Sequence, residues 1–223
     1  MHLKMTGHII RFMARPSGKT DIPRRLTAAG RELFMLHGYN ATGIQQVTDL
    51  AGVPKGSFYN HFDSKESFAA VIIDQYADQM QRNWERMIEA APPQPLASIA
   101  YAFEQMISHN ERTASGKGCL VGNFAAEMAE SSELCRQCLA AAMAVWRTSL
   151  TNLIRDAQNL GEVNRGIEAT RLAALVWDVW EGALLRMKIE QSVAPLRESV
   201  DLILNHFLRA APAPAALINP TIE

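Results

Sequence analysis

The chain holds only three cysteines, Cys119, Cys135 and Cys138, in 223 residues. So few thiols, in an odd number, exclude a disulfide framework and suit a reducing compartment. No secretory leader is visible, because the apolar pieces Ile9-Ile10 and Phe12-Met13 are short and interrupted by Arg11. No run is long and apolar enough to span a bilayer. A cytoplasmic protein with reduced thiols and no membrane partner is expected. Metal-ligand runs, phosphate loops, a nucleophile elbow and a Ser/His/Asp cluster are all missing, and the six histidines are scattered. An enzyme, a metal site and a cofactor are therefore not expected. Period-two alternation and internal repeats are missing too, which leaves an all-α chain.

Net charge is also scarce, at −1 overall, so the chain as a whole is no electrostatic binder of polyanions. Its distribution is uneven. Up to Lys65 there are nine Lys/Arg against four Asp/Glu, and beyond it thirteen against nineteen. A basic head on an acidic body suggests that only the head meets a polyanion. Apolar residues, at 48 % of the chain, suffice for a substantial core.

Residues 1–20 contain Pro16, Ser17 and Gly18 without a clean period and read as a flexible basic arm, in which Met5 or Met13 could be the true start. Leu26, Ala29, Leu33 and Leu36 mark one face of a first helix that ends at His37-Gly38. Ile44, Val47, Leu50 and Ala51 mark a short second helix, with Thr42 as its candidate N-cap. A third runs from Pro54 to Phe62. Asp63 or Ser64 starts a long fourth helix, with Glu66 completing a capping box from Asp63; Phe68, Ile72, Tyr76, Met80, Trp84 and Ile88 recur along it until Pro92. Further helices are expected at about 96–113, 123–130, 133–160, 167–191 and 196–209. The organisation expected is a helix-turn-helix domain over 21–66, a ligand-binding and dimerisation domain over 67–210, and a proline-rich, disordered tail over 211–223.

The stretch Thr42–Lys65 carries the functional signal. Two short helices meet at a turn containing Gly52, the geometry in which a second helix enters the major groove of double-stranded DNA. Ile44, Val47, Ala51, Val53, Phe58 and Phe62 face inward in this arrangement. Lys55, Gly56, Ser57, Tyr59, Asn60 and His61 are left outside. Small Gly56 and Ser57 allow close approach to the duplex. Lys55 suits guanine or phosphate and Asn60 suits adenine. Tyr59, His61 and Lys65 suit phosphate. Gln45 and Gln46 are further candidates, with Thr42. Spacing alone also fits a polar surface on a helical hairpin, an architectural helical module or a small helical enzyme.

Phe34, Gly38-Tyr39, Thr42, Ala51-Gly52-Val53, Gly56-Ser57-Phe58-Tyr59, His61-Phe62 and Ser64-Lys65-Glu66 together resemble the N-terminal domain of TetR-type repressors. The likeness covers roughly residues 24–73. Gly43 and Thr48 depart from it, where Thr or Ser and Ala are frequent. The resemblance implies a homodimer bound to operator DNA, with a three-helix head, a larger helical body carrying a cavity for a small-molecule inducer, and a dimer interface from the last two long helices. It further implies that inducer moves the fourth helix, separates the two heads and releases the operator.

Trp84, Phe103, Met106, Phe124, Trp146 and Trp177 are candidate ligand-binding residues, each equally readable as core. The run Gly118–Glu127 resembles that of a subgroup that includes the repressor of N-ethylmaleimide reductase and the acrylate-responsive regulators. That likeness implies an electrophile sensor at Cys119. A thiol near a helix start, with Lys117 nearby, is expected to ionise more easily; a cysteine among Leu, Val and Phe is as readily a small buried hydrophobe. Cys135 and Cys138 share a helix face and read as packing residues. Leu172, Leu175, Val176, Val179, Ala183 and Leu184 form one apolar stripe, and Val200, Ile203, Leu204 and Phe207 another; both suit an interface or a core.

Overall fold

The computed structural model describes residues 21–113 and 118–209. They fold as nine α-helices: α1 Ile22–His37, α2 Ile44–Ala51, α3 Gly56–Tyr59, α4 Lys65–Glu89, α5 Pro95–Thr113, α6 Leu120–Met128, α7 Glu133–Asn159, α8 Ala169–Glu190 and α9 Ala194–Asp201. The last runs into a π-helical turn, Leu202–Leu208. Among the described residues the only β-type contact is one isolated bridge between Val163 and Arg209. The all-α expectation therefore holds. The expected basic arm, the tail and Lys117 lie outside the described residues.

Local chemistry fixes the boundaries. Gly38 ends α1 at φ +82° and Gly52 ends α2 in the left-handed region, where a side chain would be strained. The start of α2 differs from expectation. Gly43, not Thr42, is the cap residue, and its N–H donates to Gln46 Oε1 at 2.6 Å. Thr42 is instead only 1 % exposed, and its hydroxyl donates to the Gly38 carbonyl at 2.8 Å. At α4 the reciprocal cap joins Ser64 and Ser67. Glu66 is drawn away from that role because its carboxylate accepts from Ser132 Oγ at the start of α7. Helix α6 begins three residues before its expected start, with Cys119 as its cap residue. Pro195 does not break the chain as expected but lies in the first turn of α9, where a missing N–H costs little.

Two apolar cores hold the molecule. One joins the head to α6 and α7 through Leu26, Phe34, Phe58, Phe62, Phe68, Phe124, Leu139 and Trp177. The other joins α4, α5, α7, α8 and α9 through Trp84, Ile99, Phe103, Leu150, Val176, Trp180 and Leu204. The rings of Phe58, Phe62 and Phe68 meet edge-on or tilted at 4.7–5.5 Å, contacts worth about 0.5–1.5 kcal/mol each beyond burial. Leu36 and Leu50, assigned inward by periodicity, are half exposed. Most of the two stripes read as interface or core is core: Leu172, Val176, Ala183, Leu184, Ile203 and Leu204 are buried, whereas Leu175 and Phe207 are exposed.

Gly30 is where α1 meets α4. A Cβ there would lie 2.4 Å from Phe68 Cζ and 2.8 Å from Ile72 Cδ1. Both side chains are fully packed, so neither yields freely. Gly30→Ala should therefore destabilise by about 1–3 kcal/mol, although alanine favours an isolated helix. Thermal unfolding checks this, and a variant melting at or above the parent temperature would contradict the close packing of α1 on α4.

Candidate nucleic-acid interface and its link to the body

Arg25 builds the helix-turn-helix corner. Its guanidinium donates to the carbonyls of Ala51 and Gly52, the orphan acceptors at the end of α2. The α2–α3 turn is thus tied to α1, and one basic residue of the head is spent on structure. Phe58 and Phe62 point into the core from the short α3 and the turn after it. Their burial leaves Lys55, Gly56, Tyr59, Asn60 and His61 exposed and Ser57 half-buried. Tyr59 is 55 % exposed although it is large and aromatic. A Cβ on Gly56 would meet nothing within 4 Å. Nothing inside the fold therefore requires glycine there, whereas an approaching duplex would.

The remaining candidate contacts divide. Gln45 and Gln46 are exposed on α2, with Gln45 Nε2 donating to Asp49 at 2.7 Å and Gln46 capping Gly43. Each keeps polar atoms toward solvent. Thr42 is corrected: its side chain is buried and engaged. Lys65 is corrected as well. Its ammonium donates to the Tyr39 carbonyl at 2.6 Å and lies 4.1 Å from the Tyr39 ring centroid. Burial lowers its pKa. It closes the head rather than offering a free phosphate contact.

Periodicity gave no hint of the head's attachment to the body. Glu127, in the last turn of α6, accepts from the backbone N–H of Tyr39 at 3.1 Å and of Asn40 at 2.7 Å. Gly38 makes room, since a Cβ there would lie 2.2 Å from Glu127 Oε1. Phe124, one turn earlier, packs edge-on against Phe34 at 5.2 Å and Tyr39 at 6.1 Å. The loop that leads into α2 is thereby held by a helix of the body.

Cys119 stands at the other end of α6. It is partly buried, and it packs against both cores, at their seam. The Tyr76 hydroxyl of α4 approaches its sulphur at 3.9 Å. The Glu181 carboxylate of α8 lies beside the thiol, and the first-turn amides of Val121 and Gly122 lie near the sulphur without capping it. Those amides favour the thiolate, as expected of a helix start. Burial and Glu181 outweigh them and push the thiol up to about 12. The expectation of an easily ionised cysteine is therefore wrong for this resting arrangement. Burial likewise raises the pKa of Glu181 and lifts Tyr76 well above the usual tyrosine range. The sequence does hold a signal for Glu181: it shares a helical face with Trp177, Leu184 and Lys188, an acid where an apolar residue is normal.

The candidate ligand residues do not gather around one cavity. Trp146 stacks edge-on with Trp177 at 4.6 Å and with Trp84 at 6.0 Å, bridging the two cores. Trp84 also borders an open groove of about 350 Å³ with Ile88, Ser149 and Leu153. Phe103 is buried against Trp180. Phe124 is buried in the head-side core, and Met106 packs on the body core. Cys135 and Cys138 pack on the head-side core, and burial raises both thiols, Cys138 to about 11. No group of three or more potential metal ligands occurs among the described residues. No helix among them is long and apolar enough to cross a membrane.

Comparison with known proteins matches residues 26–72 to the family described as bacterial regulatory proteins, tetR family, and residues 95–203 to the tetracyclin repressor-like C-terminal domain. The HTH-type transcriptional repressor DhaR of Mycobacterium sp. (strain GP1) is 32 % identical over 190 residues, covering 85 % of this chain and 94 % of that protein. The transcriptional regulator AcuR of Cereibacter sphaeroides is 32 % identical over 201 residues, covering 87 % and 90 %. A crystal structure of regulatory protein TetR from Rhodobacter sphaeroides superposes with a TM-score of 0.77 at 31 % identity, over 83 % of this chain and 98 % of that one.

The open space above Gly56 separates folding from duplex contact. Gly56→Gln should unfold at the parent temperature but weaken operator binding by about tenfold or more, equivalent to ~1.4 kcal/mol. Calorimetry and fluorescence anisotropy on a labelled duplex read the two quantities. Undiminished affinity would mean that DNA does not approach this surface.

Proposed function

Because this chain belongs to the TetR family of bacterial regulatory proteins, it is a ligand-responsive DNA-binding transcriptional regulator, and we propose that it is a homodimeric repressor released from its operator when an electrophile modifies Cys119. The observation that carries this reading is the placement of α6. This one helix has the Cys119 cluster at its start and the Glu127 clamp on the head at its end. Nine residues at about 1.5 Å each span roughly 13 Å. A rotation or shift of α6 that accommodates an adduct at Cys119 is thus delivered to the Tyr39–Asn40 backbone.

Operator contact falls to Lys55, Gly56, Ser57, Tyr59, Asn60 and His61, with Gln45 and Gln46 alongside. Lys55 and Asn60 read base edges, and Tyr59 and His61 hold phosphates. The dimer is supported by the outer face of α8, where Arg171, Leu175, Asp178, Gly182, Leu185 and Ile189 are exposed at steps of three and four residues. Leu202 and Phe207 on the final helical turn are exposed as well. Two heads read half-sites about 34–36 Å apart, so a small change in head angle suffices for release. An adduct changes operator affinity only by favouring the released conformation.

An operator selected from a random duplex pool tests the reading. The parent protein should bind it as two chains per duplex and lose at least about tenfold in affinity after treatment with methyl vinyl ketone, ~1.4 kcal/mol of coupling. Cys119→Ser should bind equally well and stay bound after treatment. Release of the serine variant would show that the inducer acts without a covalent bond, and one chain per duplex would contradict the dimer.

A further inference from the structure

We propose that Glu181 is the base that takes the proton of Cys119 when its sulphur adds to an α,β-unsaturated carbonyl compound, with the first-turn amides of α6 and the Tyr76 hydroxyl holding the sulphur as it reacts. The proposal rests on covalent sensing at Cys119 and names the group that makes it possible. Four groups act on the sulphur, from three helices. The Val121 and Gly122 amides come from α6, the Tyr76 hydroxyl from α4 and the Glu181 carboxylate from α8. Three are hydrogen-bond donors suited to sulphur that is becoming negative. The fourth is the proton acceptor, and it lies beside the thiol.

Reactive cysteines are commonly paired with a cation that lowers the thiol pKa. This one is paired with a carboxylate, and Lys188, on the same face of α8, is engaged by Asn123 Oδ1 at 3.1 Å. A free thiolate is therefore scarce, and reaction requires the proton to leave as the bond forms. Glu181 is built for that. Its Oε1 is buried without a hydrogen-bond partner, so one oxygen is not committed to any donor. Gly122 clears the space for the other, since a Cβ there would lie 2.4 Å from Glu181 Oε2. Burial raises the basicity of the carboxylate, which brings it nearer to a proton acceptor matched to neutral pH.

The step balances within the site. A bond forms between Sγ and the β-carbon of the acceptor, and its C=C pair moves toward the carbonyl oxygen as an enolate. The S–H bond breaks, with its proton passing to Glu181. The resulting carboxylic acid then returns that proton to the α-carbon, which leaves a thioether and an ionised Glu181. The thioether has no S–H to donate. A buried carboxylate without a donor is costly, and it lies between α6 and α8. Its need for solvent or a new partner favours opening of that contact, which is the movement the clamp at Glu127 transmits.

The test is the rate at which methyl vinyl ketone labels Cys119 in the full-length protein, read from the mass of the Cys119 peptide, with Cys119→Ser as blank. In the parent protein the rate should level off across neutral pH once Glu181 is ionised. Glu181→Gln should react about a hundredfold more slowly at pH 7, with a rate that climbs about tenfold per pH unit as free thiolate becomes the only route. An equal or faster rate in Glu181→Gln would overturn the proposal, because a neighbour that merely suppressed the thiolate would speed the reaction when neutralised. Should the variant fail to fold, a parent rate that rises tenfold per pH unit through neutrality overturns it equally, and a plateau supports it. An unlabelled Cys119 in the parent protein would remove covalent sensing and this proposal together, whereas a normal rate in Glu181→Gln removes the base alone.

Discussion

The whole arrangement depends on one carboxylate and two backbone amides. Glu127 at the end of α6 accepts from Tyr39 and Asn40 in the loop that leads into α2. Hydrogen bonds to a charged acceptor contribute about 1.5–3 kcal/mol each where water is excluded, and less at Asn40, which is exposed. Without this pair the head would be held to α6 mainly by apolar contact, which resists separation but does not fix an angle. Directional bonds to the backbone fix one. The Lys65 ammonium on the Tyr39 carbonyl and ring closes the same loop from α4, and Gly38 is the residue that allows the carboxylate in.

At the opposite end of α6 lies a second polar cluster, and its character is different. The clamp at Glu127 is satisfied, with both oxygens engaged by backbone donors. The cluster of Tyr76, Cys119 and Glu181 is incompletely satisfied and sits at the seam of two cores. A buried polar network with an acceptor left over carries an energetic cost that a rearrangement can relieve. In the proposed mechanism a satisfied latch and an incompletely satisfied cluster on one short helix turn a chemical event at one end into an angular change at the other. In the proposed reading the outward Lys55–His61 surface supplies the output, because operator affinity in a two-headed binder depends on the spacing of its heads.

Much of this was legible in the sequence. Three- and four-residue apolar steps located the long helices, and glycine and proline located most of their ends. The residues from Ala51 to Phe62 identified the corner and the outward face of the head. What was missed shares a physical cause: side chains that bond across the chain leave no local period. Thr42 looked like a helix cap and is turned inward to the Gly38 carbonyl. Glu66 looked like part of a capping box and is taken by Ser132, 66 residues away. Lys65 looked like a phosphate ligand and closes the head instead. Glu127 lay within a recognised run without a role. Cys119 does stand at a helix start, but its sulphur makes no capping bond there, and the carboxylate beside it comes from α8 and could not be anticipated from neighbours in sequence. The aromatic residues taken as a pocket divide between two cores, with Trp146 bridging them, because a tryptophan at helical spacing carries the same pattern whether it lines a cavity or fills one.

Release by the proposed route requires mechanical continuity between Cys119 and the Tyr39–Asn40 backbone. Amide hydrogen exchange at Tyr39 and Asn40, followed by NMR before and after alkylation of Cys119, measures that continuity directly. Breaking the Glu127 bonds should raise exchange at both amides by about tenfold or more, corresponding to ~1.4 kcal/mol of lost protection. Unchanged protection at both sites in a protein that has nonetheless let go of its operator would contradict the role given to α6.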